Sequence, residues 1–238
     1  VQNMMVVLLA SSHSLVPGAS LAHATWSVIH ADEDVIVIDK GAGLLTVPGR
    51  GREKSDCLLE RMRINGYPEV VHAPHRLDRD TSGLVVLGRN QAAHRSLCMQ
   101  FQEHLVQKRY EALVMGWPLE EQGEVNAPIG KVQLHGEAHA RMRIVPHGRS
   151  SLTRWRVLER MEMGDLQVAR VSLWPVTGRA HQLRLHMQHI DNPLLGDQLH
   201  GDNQCALAAP RLCLHAAELT FEHPEQTTLI SFESRAPF

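Results

Sequence analysis

The sequence predicts an α+β fold built on a large sheet, and three observations carry that expectation. β-branched apolar runs recur along the chain, helical periodicity appears in only a few short windows, and the two do not alternate as a doubly wound parallel sheet requires. The chain has 238 residues, 43% of them hydrophobic and 21% charged, with 17 Gly and 12 Pro, which is the composition of a folded, soluble protein rather than a disordered one.

The elements follow in order. Residues 1–25 are expected to be a poorly specified extension. The apolar run Met4 to Leu9 is short and lacks a basic flank, so neither secretion nor a membrane span is expected. From Trp26 the pattern becomes regular. Val35 to Asp39 is a strand, and Gly41 to Pro48 is a turn-rich segment around a short strand. Gly49 to Asp56 is a polar loop able to touch a phosphate backbone, and Leu58 to Ile64 is a short helix ending near Gly66. Leu84 to Leu87 has the length and branching of a buried strand. Gln91 to Gln107 places Ala93, Leu97, Phe101 and Leu105 on one helical face. Arg109 to Gly116 is a strand, Gly123 to Arg149 gives hairpins and loops, and Trp155, Val157 and Leu166 to Trp174 give further strands. Ala180 to Ile190 is a helix with Thr177 as its expected N-cap, followed by strands at Leu212 to Leu219 and Thr228 to Phe232. No Pro/Ser-rich linker interrupts residues 26–238, so one catalytic domain is expected there.

Charge and cysteine content narrow the function. With 24 Lys plus Arg against 26 Asp plus Glu, the formal charge of -2 gives no global attraction to nucleic acid, and any such site must be a local patch. Arg far outnumbers Lys, which suits bidentate phosphate contacts and stacking on bases. The four cysteines form no C-x-x-C pair, and none of the 16 histidines falls in a zinc-site spacing, so no metal is expected.

Two clusters carry chemistry. The first, His75-Arg-Leu-Asp-Arg-Asp-Thr-Ser-Gly83, stands just before a buried strand and sets Asp78 and Asp80 among Arg76 and Arg79. Nearby arginine charge keeps a carboxylate ionised as nucleophile or base, although Asp, Ser and Gly are also the residues of an ordinary surface turn. The second, Thr177-Gly-Arg-Ala-His-Gln-Leu-Arg-Leu-His186, opens a helix. There the free N–H groups and the fixed charge of Arg179 and Arg184 favour an anion, and spacing puts His181, Arg184 and Gln188 on the side away from Leu183, Met187 and Ile190. Taken without the first cluster, the second reads rather as an ordinary capped helix with a solvated basic face.

The first cluster resembles, over nine residues without a gap, the signature of the RluA-type pseudouridine synthases. The resemblance extends through Asp34 to Pro48, Lys108-Arg-Tyr110, Thr177 to His186 and Asn192-Pro-Leu-Leu-Gly-Asp197, and so covers roughly residues 26–238. It implies the pseudouridine synthase fold, a large mixed, mainly antiparallel sheet with flanking helices and a central RNA-binding cleft. No metal or organic cofactor is implied.

By the same resemblance Asp78 is the nucleophile or base, Tyr110 packs on the uracil and helps remove its C5 proton, and Arg184 pairs with the aspartate. Arg76 enters the space left by a flipped nucleotide, and His75, Arg179, His181 and Gln182 support substrate binding. The implied reaction isomerises uridine in rRNA or tRNA stem-loops. Asp78 either adds to C1′ or removes a proton at C2′, and the sequence leaves both routes open. The chain is expected to act as a cytoplasmic monomer without an S4 domain. A catalytically silent RNA-binding protein of the same fold is the alternative. One departure stands out: the family's usual Lys-Pro is here Lys40-Gly41, which is expected to loosen a turn without touching the chemistry.

Overall fold

Strands dominate the computed structural model, which describes residues 6–7, 25–49, 51, 55–69, 73–136 and 139–238. Its contacts group into two units, each drawing on distant parts of the chain. Unit 1 comprises Val1–Lys108 and His215–Ala236, and unit 2 comprises Arg109–Leu214 and Pro237–Phe238.

Unit 1 contains β1 (Val6–Val7), β2 (Trp26–Ala31), β3 (Val35–Lys40), α1 (Leu58–Ile64), β4 (Ser82–Gly88) and α2 (Gln91–Gln102). From Gln107 the chain enters β5 (Gln107–Met115), and it returns near the C-terminus through β11 (Leu214–Glu222) and β12 (Leu229–Glu233). The strand order is β2-β3-β4-β11-β12, with β1 parallel to β12. The β2-β3, β3-β4 and β11-β12 pairs are antiparallel, and β4-β11 is parallel. The expected strands at 35–39 and 84–87 are therefore present, and every residue of β4 is buried, as its continuous apolar sequence requires. Val35, Val37, Leu84, Val86, Leu97, Phe221 and Phe232 form the core of this unit. Of the expected extension only Val6, Val7 and Thr25 are among the described residues, as are only Gly49, Gly51, Ser55 and Asp56 of the 49–56 loop.

α1 has the expected bounds, with Asn65 at its C-cap and Gly66 at φ 97° just beyond. α2 stops short of Gln107. The Asn90 side chain caps it by accepting from Ala93 N–H at 2.9 Å, but His104 turns left-handed at φ 59° and leaves Leu105 59% exposed instead of on the buried face.

Unit 2 contains most of β5, then β6 (Gln122–Asn126), β7 (Ile129–Val132), β8 (Arg141–Ile144), β9 (Leu152–Met163), β10 (Leu166–Pro175), α3 (Gln182–His189) and α4 (Asn203–Leu207). Its strands run β5-β10-β9-β6, all antiparallel, beside a separate β7-β8 hairpin. Val114, Trp155, Val171, Leu173, Leu183, Met187 and Leu194 pack into one core, so the apolar face of α3 is buried as its spacing predicts. The expected N-cap of α3 is corrected. The capping position is His181, in the left-handed conformation at φ 57°, and not Thr177. The Thr177 hydroxyl instead donates to Gln182 Oε1 at 2.7 Å and accepts from Leu152 N–H at 3.0 Å, which ties the turn to β9.

Candidate active site

In unit 1 the segment from His75 to Gly83 is held at several points, and two of them flank Asp78. On one side, the Thr46 hydroxyl donates to the Leu77 carbonyl at 2.9 Å and accepts the Leu77 N–H at 3.1 Å. On the other, the Arg79 carbonyl accepts from Gly43 N–H at 2.8 Å and from Lys40 Nζ at 3.2 Å. Lys40 is fully buried, and Nζ also donates to the Gly41 and Leu44 carbonyls, each at 2.8 Å. Burial of an ammonium is costly unless its donors are met, and here it gathers the 41–44 turn and the aspartate segment around one charge. Asp78 itself is half-buried, and its carbonyl accepts from Thr81 N–H at 3.2 Å, closing the turn into β4.

The departure at Gly41 has a physical cause. Its N–H donates to Thr25 O at 2.7 Å, and a Cβ there would lie 2.4 Å from the same oxygen. A proline would lack the donor and clash. The turn is thus tight where the sequence suggested looseness.

The neighbours of Asp78 divide by role. Arg76 is exposed. Arg79 is exposed as well and pairs with Asp80, Nε to Oδ1 at 3.0 Å, so the local Arg–Asp pair seen in the sequence joins these two. His75 accepts the Val86 N–H on Nε2 at 3.1 Å and stacks on Phe101, with ring centroids 4.3 Å apart. Part of the residue reaches solvent, yet burial of the ring, reinforced by the charge of Lys108, pushes its pKa down to about 3. It is therefore a neutral ring with the proton on Nδ1, committed to fixing the segment against β4 and α2. This anchoring role comes in addition to the substrate contact expected of His75.

In unit 2, Tyr110 lies on β5 opposite Leu173, partly buried against the unit's core. Arg184 is 5% exposed, which corrects the expected solvated face of α3. Its guanidinium donates from Nε to Asp197 Oδ2 at 2.7 Å and from Nη2 to Oδ1 at 2.5 Å, a bidentate pair with a carboxylate that is 1% exposed. Burial opposes the charged form of Asp197. The Arg184 hydrogen bonds and charge, with the N–H groups of His200 and Leu199, outweigh it and hold the carboxyl below its usual range.

Gln182 is also buried, and both ends of its amide are engaged. Oε1 accepts from Thr177 and from Arg179 N–H, while Nε2 donates to Leu152 O at 2.9 Å and to Thr153 Oγ1 at 3.0 Å. It shapes the turn before α3. Arg179 donates from Nε to Ser150 O at 3.3 Å. His181 Nδ1 lies 2.8 Å from His200 Nε2.

Among the described residues, one group of three potential metal ligands comes within 4.8 Å: Asp32, Asp34 and His223. Their atoms already hold one another and Asn90, with Asp34 Oδ1 accepting from Asn90 Nδ2 at 2.8 Å and Asp32 Oδ2 meeting the His30 and His223 rings. No described helix is long and apolar enough to cross a membrane.

Neither of the two sequence clusters contains the residues that hold these segments in place: Lys40 and Thr46 as clamps beside Asp78, and Asp197 and His200 as partners of α3. Asp197 was visible only as the end of a loop. The signal available was an acidic residue directly after a glycine, and Gly196 has φ 73° with space for no side chain, since a Cβ would lie 1.9 Å from Arg211 O.

Comparison with known proteins adds a separate line. The model of the RNA pseudouridylate synthase family matches residues 34–189. The chain is 39% identical over 213 residues to the dual-specificity RNA pseudouridine synthase RluA of Pasteurella multocida, covering 89% of this chain and 93% of the relative. It is 36% identical over 214 residues to the Escherichia coli protein of that name, covering 90% and 94%. Among solved structures, human RNA pseudouridylate synthase domain containing 1 superposes with a TM-score of 0.76 at 29% identity, covering 94% of this chain and 87% of that one.

Proposed function

The chain belongs to the RNA pseudouridylate synthase family, and we infer that it isomerises uridine to pseudouridine in rRNA or tRNA stem-loops with Asp78 as the group that starts the reaction. The reading rests on one observation above others: within a nine-residue family signature, the residues on either side of Asp78 are both clamped by side chains or backbone of the 40–46 segment. A carboxylate fixed in this way is preorganised for attack or for proton removal.

In the reaction the C1′–N1 bond breaks, the uracil turns, and C1′ rejoins through C5. The C5 proton leaves to solvent and N1 gains one, so no group enters or departs overall. Asp78 adds to C1′ or takes the C2′ proton, and either route needs the ionised carboxylate. Arg184 supplies the fixed positive charge an ionised aspartate needs, and Tyr110 packs on the uracil and assists removal of the C5 proton. The target nucleotide must leave its stack, at a cost of a few kcal/mol, and the exposed Arg76 is suited to fill the gap. Arg179 and His181 support binding near the start of α3. The enzyme works as a monomer in the cytoplasm and uses no cofactor.

The test is tritium release from RNA labelled at uracil C5, comparing wild type with Asp78→Asn. Abolished release in a folded variant that still binds RNA is the expected result. Undiminished release would overturn the assignment of Asp78.

A further inference from the structure

Beside the bidentate Arg184–Asp197 pair, the end of unit 2 that carries α3 holds a second polar contact that the reaction as described does not use. His181 Nδ1 and His200 Nε2 are 2.8 Å apart, with the rings edge to face at 5.0 Å between centroids. His181 is the residue from which α3 starts, and its backbone is left-handed at φ 57°, ψ 18°. A β-carbon makes that conformation unfavourable, so something must hold it. Its own side chain makes no capping hydrogen bond to the helix. The His200 ring is one partner the structure gives it, and His200 is itself fixed by its N–H, which donates to Asp197 Oδ1 at 2.9 Å beside the Leu199 N–H at 3.0 Å.

We propose that His200 is a positioning residue of the uridine site: its ring holds His181 in the conformation that starts α3, while its backbone N–H fixes the carboxylate that grips Arg184. The two contacts leave one short turn, so the start of the helix and the guanidinium one turn along it are referred to the same anchor. This inference rests on the reading that Arg184 serves the reaction. The charged and titratable groups facing His200 are Arg184, Asp197, His181 and Arg141. Burial first, then the charge of Arg184, keeps the ring neutral with its pKa down to about 4, Asp197 working in the opposite sense. A neutral ring shares a single proton with His181, and adding positive charge beside Arg184 and Arg141 would compete for Asp197.

The experiment measures single-turnover rates and RNA affinity for wild type, His200→Phe, His200→Gln and Arg184→Met between pH 5 and 8, with melting curves for each. The phenylalanine fills the space but cannot hydrogen-bond, whereas the glutamine amide can still reach the His181 nitrogen, and both keep the backbone N–H to Asp197. His200→Phe should react about tenfold slower than wild type, the worth of one hydrogen bond, with a smaller loss of RNA affinity passed on through His181. His200→Gln should recover most of the rate. Wild-type rates for a folded His200→Phe, or equal losses in the two variants, would overturn the proposal. Should His200→Phe fail to fold, a folded His200→Ala with the wild-type single-turnover rate would overturn it equally. Full activity of Arg184→Met would refute the underlying reading, whereas loss in Arg184→Met with an unaffected His200→Phe would sink only the role of His200.

Discussion

Replacing Asp197 with alanine should cost more stability than any other single polar truncation in unit 2. The carboxylate takes two N–H donors of a guanidinium that is 5% exposed and is itself 1% exposed, and it also accepts the backbone N–H groups of Leu199 and His200. Removing one member of a buried ion pair costs about 3–5 kcal/mol, because the remaining charge keeps its desolvation penalty and loses its counter-charge. For a chain of this length each kcal/mol shifts the melting temperature by about 2–4 °C, so the transition that reports unit 2 should fall by roughly 6–20 °C. Asp197→Asn retains an acceptor oxygen for the two backbone N–H groups and should lose about half as much. Arg184→Met combined with Asp197→Leu should recover much of the loss, since apolar residues of similar volume can replace a buried pair at little cost. Denaturant unfolding of wild type, Arg184→Met, Asp197→Leu and the double variant as a double-mutant cycle isolates the coupling. A loss under about 1 kcal/mol in Asp197→Ala, the range of exposed pairs, would refute the claim that this carboxylate holds Arg184 in place.

Gly83→Ala should destabilise unit 1 by about 3 kcal/mol or more, because φ is +110° and the new Cβ would lie 2.4 Å from Ala216 O in β11; thermal melts followed by circular dichroism measure it. Thr46→Val removes both hydrogen bonds to Leu77 while keeping the shape of the side chain, and should cost about 1–3 kcal/mol together with a drop in single-turnover rate larger than any loss of RNA affinity. Acid should weaken the fold before carboxylates titrate. His75 and His200 are neutral in the folded state with pKa values of about 3 and about 4, whereas the unfolded chain protonates them near 6.5, so the unfolded state binds more protons and stability falls as pH drops from about 6.5. Each contributes at most about 1.4 kcal/mol per pH unit, and His75→Gln should flatten the slope of unfolding free energy between pH 6 and 4; an unchanged slope would contradict its neutrality.

The elements legible in the sequence are those whose cause is local. The apolar run at Val35, the periodicity at Ala93, Leu97 and Phe101, and the helix stop near Gly66 all act within a few residues, and the structure places strands and helices there. The errors fall where a single backbone dihedral overrides the pattern. His104 ends α2 before Leu105 can join its face, and His181 starts α3 four residues beyond the predicted Thr177 cap. Neither residue is a glycine, so nothing in its type announces φ above zero.

The site divides in the same way. Asp78, Arg76 and Arg79 stand in one contiguous stretch, presented by a turn, and Arg184 in another, presented by the first turns of a helix; of these, the proposed function gives Asp78, Arg76 and Arg184 roles in the reaction or in RNA binding. Their orientation comes from elsewhere. Lys40 reaches Arg79 across 39 positions and Thr46 reaches Leu77 across 31. Asp197 reaches Arg184 across 13, and His200 reaches His181 across 19. None of these separations is a helical or strand period, so no pattern analysis of one sequence can pair them. Preorganisation requires such distant partners, since a loop that orients its own side chain must also hold itself rigid, whereas a buried lysine or a buried carboxylate on another segment transfers the rigidity of the core to the reacting group. The sequence motif therefore marks the carboxylate proposed to react, and the parts that fix its geometry are found one packing layer away in space and tens of residues away along the chain.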